Sequence, residues 1–78
     1  MIYTDIRVGD SIRILHKPNR WNSRLASKSP MELTFPFEGI VLKIGDKEYP
    51  YCANIDGYGF ALNELNGFEI LNKNYEIY

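Results

Sequence analysis

The chain has 78 residues, with 9 basic and 10 acidic side chains and a net charge of −1, which argues against the overall attraction to phosphate that drives most nucleic-acid binding. Its single cysteine excludes an internal disulfide framework and a four-cysteine zinc site, and it favours a reducing, cytoplasmic setting. Residues 1–5 lack the features of a signal peptide, and no apolar run approaches the roughly 20 residues of a membrane span. We expect one small domain over residues 1–78.

The first predicted strand covers residues 8–15 and begins at a Gly-Asp turn signal. Ile12 and Ile14 alternate with Ser11 and Arg13, which is typical of a strand with one buried face. Three apolar residues precede the strand without a clear period, and we expect them to pack beneath one end of the fold: Ile2, Tyr3 and Ile6.

Residues 16–36 show neither a strand nor a helix period, and their prolines, asparagines and serines predict a long loop. A loop of this length inside a small domain is usually functional or mobile. It holds four basic residues and one acidic residue, so its net charge is +3 while the rest of the chain is −4. A short helical turn over residues 22–27, capped by Asn22 or Ser23, remains an open alternative.

The most apolar stretch, residues 37–44, predicts the central strand of the fold. Ile40, Leu42 and Ile44 alternate with Gly39, Val41 and Lys43, and we expect the aliphatic side chains of the first set to avoid water. A glycine within a strand usually marks a bulge, a corner or the close approach of another segment.

An Asp-Gly pair at positions 56 and 57 is the strongest short-range hairpin signal in the chain. After a turn at residues 45–47, residues 48–55 are predicted to return as a strand, and Pro50 makes its beginning an edge or a bulge. Residues 58–61 form the next predicted strand. These two strands carry four aromatic residues whose alternate members should share a face: Tyr49, Tyr51, Tyr58 and Phe60.

Residues 62–65 predict a single helical or 3-10 turn, which Asn66-Gly67 ends. Residues 68–71 are the closing strand. The tail, residues 72–78, keeps two apolar alternates, Tyr75 and Ile77, and is predicted to add an edge strand or to fray.

The order of these elements resembles that of the small Src-homology-3-like β-barrels, the group that includes KOW and Tudor-like domains. Residues 8–14, residues 38–44 and the turn at residues 62–65 carry the resemblance. It implies an all-β fold, a barrel of five or six strands with a long loop between the first two. That loop helps to form the ligand face in many such barrels, but the group binds proteins, peptides, RNA and DNA alike, so the fold does not select a ligand.

The candidate binding residues combine cations with aromatic rings, which are frequent at interface hot spots. They are Lys17, Arg20, Trp21, Arg24 and Lys28 in the loop and Tyr51 and Tyr58 on the neighbouring strands. The competing interpretation is that Trp21 folds back to cap the barrel, while the cations solvate the loop. Aromatic residues on a small sheet are most often core, as we expect for Phe60, whereas Tyr58 at the hairpin tip is the best candidate for exposure.

The sequence predicts a protein without catalytic, metal or cofactor sites. His16 and Cys52 are the conventional nucleophile or metal-binding types, and nothing in their spacing brings them together, so a buried structural cysteine is the favoured interpretation. Asp10, Asp46 and Asp56 lie in predicted turns, where such side chains bond the nearby backbone.

Two functions are the main candidates at this point, beside a small-molecule or nucleotide sponge formed by oligomerisation through exposed edges, for which the tail, residues 75–78, is the hint. The first is a protein-binding module, in which acidic groups of the partner meet the basic loop; its size suits an adaptor, a regulator or a small inhibitor encoded by a phage or another mobile element. The second is RNA or single-stranded DNA binding through the same loop, with tyrosine stacking, although the acidic body counts against it. The oligomeric state is open.

Overall fold

A computed structural model describes residues 3–45 and 47–73 of the chain. Its described residues form an all-β structure, which confirms the predicted fold class at that level. The strands are β1 (Ser11–Ile14), β2 (Phe37–Ile44), β3 (Cys52–Ile55), β4 (Tyr58–Ala61) and β5 (Phe68–Asn72). Three short 3-10 turns accompany them, at Tyr3–Asp5, Pro30–Glu32 and Leu62–Glu64.

The five strands form one antiparallel sheet in the order β4-β3-β2-β1-β5. The first four strands pair with their neighbours in sequence, and β5 returns to lie beside β1. Within the described residues, the ladders leave β4 and β5 as the two edges, so hydrogen bonding does not close the sheet into a barrel. The predicted 3-10 turn before the last strand is confirmed at Leu62–Glu64.

Strand β2 is the centre of the sheet, as the sequence predicts. Its first half pairs with β1, where Ile40 lies opposite Ser11, and its second half pairs with β3, where Ile44 lies opposite Ala53. The register shifts between Val41 and Lys43, and such a bulge bends a strand and increases its twist. One long strand therefore serves two partners by bending between them.

The core lies on one side of this bent sheet. It includes side chains from every strand and from both the first and the last 3-10 turn regions. The buried set is Ile6, Ile12, Ile14, Val41, Ala53, Ile55, Phe60, Leu62 and Phe68. The predicted inward face of the first strand and the predicted core position of Phe60 are therefore confirmed, as is the packing of Ile6. The side chains of Ile2 and Tyr3 lie outside the described residues.

The face assignment predicted for the central strand is wrong at Ile40 and Leu42, whereas Ile44, which follows the bulge, packs against the core as predicted. Ile40 and Leu42 are 47% and 53% exposed, whereas Val41 between them is 1% exposed. Both alternating sets in this strand contain aliphatic residues, so the pattern fixes the period but not the side that faces the core. The neighbours decide it, because Val41 lies opposite the buried Ile55.

Three predicted elements are shorter than expected or replaced, and the first of them is the strand predicted over residues 8–15, which is observed as Ser11–Ile14. The strand predicted over residues 48–55 begins only at Cys52, because residues 50–51 form a turn in which Pro50 lacks the N–H that a ladder needs. The helical turn considered over residues 22–27 is absent; instead Asn22 Oδ1 accepts a hydrogen bond from the Arg24 backbone N–H (2.8 Å). The loop's one helical turn in the described structure is Pro30–Glu32, which Ser29 caps.

The hairpin between β3 and β4 forms as predicted. Asp56 and Gly57 have φ angles of 57° and 95°, the pair of positive values that a two-residue hairpin of type I′ requires. The Gly57 N–H also donates to Asn54 Oδ1 (2.8 Å). The other predicted hairpin turn, residues 45–47, includes Asp46, which lies outside the described residues, as does most of the predicted tail.

The described part of the chain contains no helix that is long and apolar enough to cross a membrane.

Candidate partner-binding site

The long loop, residues 16–36, is fixed to the body of the protein at its beginning. The Asn19 backbone N–H donates to the Glu64 carbonyl (3.4 Å), and the Asn66 side-chain amide donates to the Lys17 carbonyl (2.7 Å). Pro18 between them is buried. The start of the loop therefore lies against the 3-10 turn that precedes β5. This contact positions the loop residues that come next in sequence.

The middle of the loop packs on the β3–β4 hairpin. The Asn54 side-chain amide donates to the Leu25 carbonyl (3.3 Å). Gly59, opposite Asn54 in the ladder, faces away from the core and meets the loop backbone directly. A Cβ at position 59 would collide with the Asn22 carbonyl and lie 2.7 Å from the Ala26 carbonyl oxygen. Only glycine permits this approach.

The same loop covers the β4 edge of the sheet. Lys28 and Tyr58 form an isolated parallel bridge, and the Gly59 N–H donates to the Lys28 carbonyl (3.0 Å). An unpaired edge is a template for unwanted strand association, so a covering segment protects it. These bonds hold the backbone of residues 22–28 against the β3–β4 hairpin.

A cleft of about 350 Å³ opens where the loop meets the body. Trp21, 37% exposed, lines the cleft from the loop, and Tyr51 lines it from the body. The complete lining is Arg20, Trp21, Asn22, Tyr51, Ala61, Asn63 and Glu64. The indole is thus neither buried as a cap nor detached from the protein; it is an accessible wall of a concave site.

A cation and two aromatic rings continue the site beside Tyr51. The guanidinium carbon of Arg24 lies 3.9 Å from the centre of the Tyr49 ring, and the Tyr49 and Tyr51 rings meet edge to face at 6.3 Å. Cations at such distances are attracted to the ring face by about 0.5–1 kcal/mol at exposed sites. Arg24 therefore keeps its charge at the surface while its side chain is held near the cleft.

Tyr58 is not the exposed residue that its place in the hairpin predicts. It is half-buried, with its ring edge to face against Phe37 at 5.8 Å and the Lys28 ammonium 5.6 Å from its ring centre. Phe37 in turn stacks on Phe60 in the core. Tyr58 joins the core to the loop and belongs to a separate cation–aromatic contact.

The structure divides the predicted binding residues into three groups. Arg20, Trp21 and Tyr51 line the cleft together, with Arg24 beside them through Tyr49. Lys28 and Tyr58 pair with each other, and the exposed Lys17 is not part of the cleft lining.

Sequence reasoning did not select Asn63 and Glu64, which contribute to the cleft from Leu62–Glu64. The 3-10 turn itself was the available signal, because it projects two polar side chains next to the start of the loop. Glu64 brings a negative group close to the cations, so the cleft offers both signs of charge around its aromatic walls.

Cys52, as predicted, is a fully buried cysteine, whereas His16 is exposed. The prediction for Asp10 is also confirmed, since its carboxylate accepts a hydrogen bond from the Arg7 backbone N–H (2.9 Å).

A scan of protein-family models, a search of curated proteins and a search of solved structures each found no match to this chain.

Proposed function

We propose that the protein is a non-catalytic, cytoplasmic protein-interaction module that binds its partner through the long basic loop and the aromatic residues beside it. The observation that carries the proposal is the cleft that Trp21 and Arg20 of the loop line together with Tyr51 of the body. Aromatic and arginine side chains in a concave site can contribute much of the binding free energy of an interface.

The anchoring of the loop supports this proposal. The hydrogen bonds at Asn66, Asn54 and Gly59 order the loop in the free protein. Binding of a partner therefore need not pay an entropic cost for ordering the loop, and such a cost would reduce the affinity. The positive charge of the loop favours a partner with acidic groups near an apolar or aromatic anchor.

We also propose that the fold belongs with the Src-homology-3-like barrels. Three features favour it: the antiparallel path from β1 to β4, the return of β5 beside β1, and the 3-10 turn between β4 and β5. The bend in β2 gives the sheet the curvature that a small barrel needs. A small regulator, or an inhibitor encoded by a phage or another mobile element, would suit such a domain.

RNA or single-stranded DNA binding is the second candidate. The specific observation in its favour is that the cleft combines an accessible indole, a tyrosine and an arginine, because bases stack on aromatic rings and arginine planes. The two candidates differ in salt dependence, since phosphate contacts release counterions and weaken steeply as salt rises.

The test is capture of partners from a lysate of the native host with three proteins: the wild type, the Trp21→Ala/Arg24→Ala double variant, and a control variant, Lys47→Ala. The control removes one exposed cation outside the loop. We expect the wild type and the control to retain the same protein and the loop variant to lose it. Equal capture by all three would overturn the loop as the binding site.

A gel-shift assay with random single-stranded RNA and DNA at low salt separates the second candidate. The second candidate would replace the protein-binding proposal if the wild type binds RNA or DNA, Trp21→Ala abolishes this binding, and the affinity falls steeply as salt rises. Absence of any shift, together with loop-dependent protein capture, supports it.

A further inference from the structure

The outer face of the sheet, opposite the core, is covered on one half and bare on the other. Residues 22–26 of the loop lie over Gly59 and Asn54 on the β3–β4 half. The β2–β1–β5 half has no such cover in the described structure. It carries an outer patch of large apolar side chains, with exposed fractions of 42–53%: Val8, Ile40, Leu42 and Leu71.

The ladder brings these four side chains together. Ile40 lies opposite Ser11, and both line a shallow cleft of about 270 Å³ with Leu71 on the far side. The Gly9 N–H donates to the Val41 carbonyl (2.8 Å), which places the turn containing Val8 beside Leu42. The patch therefore draws its residues from β2, from β5 and from the turn that precedes β1. Exposed apolar surfaces of this kind mark interaction sites more often than isolated exposed residues do.

Charges are distributed unequally along the strand that crosses the patch. Strand β2 carries Glu38 before Ile40 and Lys43 after Leu42, and both charged side chains are exposed. Asp56 lies at the Glu38 end, where it lines the same cleft. Glu69 also lies at that end, since Arg13 bridges it to Glu38. Arg13 offsets one of these three carboxylates, so one end of the patch keeps a net negative charge, while Lys43 makes the other end positive.

A surface with an apolar centre, an acidic end and a basic end is complementary to itself when rotated by half a turn. We propose that the outer patch is the interface of a symmetric homodimer, in which β2 of the two copies run antiparallel and Glu38 faces Lys43 of the partner subunit. A two-fold axis brings the same patch of both copies together and makes each contact twice. Face-to-face packing of two sheets is an established way to bury such a surface.

Because the outer patch is complementary to itself, a second copy of this chain fits it better than a partner of one charge sign does. A basic partner would be repelled by Lys43, and an acidic partner would be repelled by Glu38 and Asp56. The apolar residues between the two ends, Ile40 and Leu42, would form the dry centre of the contact. This inference does not depend on the proposed function, because it uses none of the loop residues.

The test is sedimentation equilibrium of the full chain over a range of concentrations. We expect the wild type to dimerise. Leu42→Glu should raise the dimer dissociation constant by about tenfold or more, because the new carboxylate would be desolvated without a partner. His16→Glu introduces the same charge at an exposed residue outside the outer patch, and this control should leave the dissociation constant unchanged.

A charge exchange tests the antiparallel arrangement. Glu38→Lys alone and Lys43→Glu alone should each weaken the dimer, and the double variant should recover most of the affinity, since it restores opposite charges across the axis. Circular dichroism on each variant confirms folding. A wild type that stays monomeric, a dimer insensitive to Leu42→Glu, or a double variant weaker than both single variants would each overturn the proposal.

Discussion

Asp10 and Lys73, 63 residues apart in sequence, form an ion pair in which Nζ lies 3.0 Å from Oδ2. The Asp10 side chain is fully buried, and that of Lys73 is 27% exposed. The same carboxylate oxygen accepts the Arg7 backbone N–H, while Lys73 also donates to the Asp5 carbonyl. The end of β5 is thus tied to the turn that precedes β1.

We expect Lys73→Met to destabilise the protein by about 3 kcal/mol, because a buried carboxylate would lose its counter-charge. Urea denaturation measures the free energy of unfolding. Lys47→Met is the matched control at an exposed position and should change it by less than about 0.5 kcal/mol. Adding Asp10→Asn to Lys73→Met should recover part of the loss. Equal effects of the two lysine variants would show that the ion pair contributes nothing.

Gly59→Ala should release the middle of the loop from the β3–β4 hairpin. The added methyl group would collide with the Asn22 and Ala26 carbonyls, and overpacking of this kind costs about 1–3 kcal/mol. We expect trypsin to cleave the variant at Arg20 and Arg24 faster than the wild type, because the loop backbone would leave its hydrogen bonds.

The control for this experiment is Gly57→Asn in the hairpin turn. Gly57 has open space where a Cβ would lie and a φ of 95°, and asparagine tolerates positive φ better than most residues. Its loop should be cleaved at the wild-type rate. If Gly59→Ala also leaves the cleavage rate unchanged, the loop does not depend on this contact.

Much of the fold is readable from the sequence because local signals agree with the long-range packing. The Asp-Gly pair sets its own hairpin, and the alternation of Ile12 and Ile14 matches their burial. The inward side of β2 was not readable, since aliphatic residues occupy both of its faces. Only the pairing of Val41 with Ile55 settles which side is buried.

The candidate site was predictable only in part. The sequence selects the basic loop with Trp21, but it does not show that Tyr51 lies across the cleft or that Tyr58 packs on Phe37. Those relations depend on the path of a loop with no period of its own. Gly59, the glycine that fixes this path, lies in a predicted strand, where a glycine can mark a bulge, a corner or the close approach of another segment, and the sequence does not show which of these applies.

The ion pairs of Arg13 should stabilise the protein, and this stabilisation should be lost at high salt but not change with pH in the moderate range. Its hydrogen bond with Glu38 raises the pKa of the guanidinium, and attraction to Glu38 and the hydrogen bond with Glu69 raise the pKa further. When folding raises the pKa of a cation, its stabilising contribution is fully present below the pKa of the unfolded state. That contribution is lost only as the pH rises through the pKa of the folded state, which for arginine is strongly alkaline.

We therefore expect Arg13→Gln to lower the Tm by a similar small amount at about pH 6 and at about pH 9. The difference from the wild type should largely vanish at about 1 M salt, because all three side chains are substantially exposed and salt screens them. Thermal unfolding followed by circular dichroism measures both effects. A Tm difference that persists in high salt would mean that Arg13 acts through packing of its aliphatic stem.

Two neighbouring residues of β2 should respond oppositely to truncation. Val41 is 1% exposed and Leu42 is 53% exposed, so Val41→Ala leaves a cavity in the core and should cost about 2 kcal/mol. Leu42→Thr should change the free energy of unfolding by less than about 0.5 kcal/mol, because its side chain already contacts water and threonine suits a strand. Urea denaturation at low protein concentration separates these effects from self-association. A larger loss at Leu42 than at Val41 would reverse the inner and outer faces of the strand, and with them the outer patch.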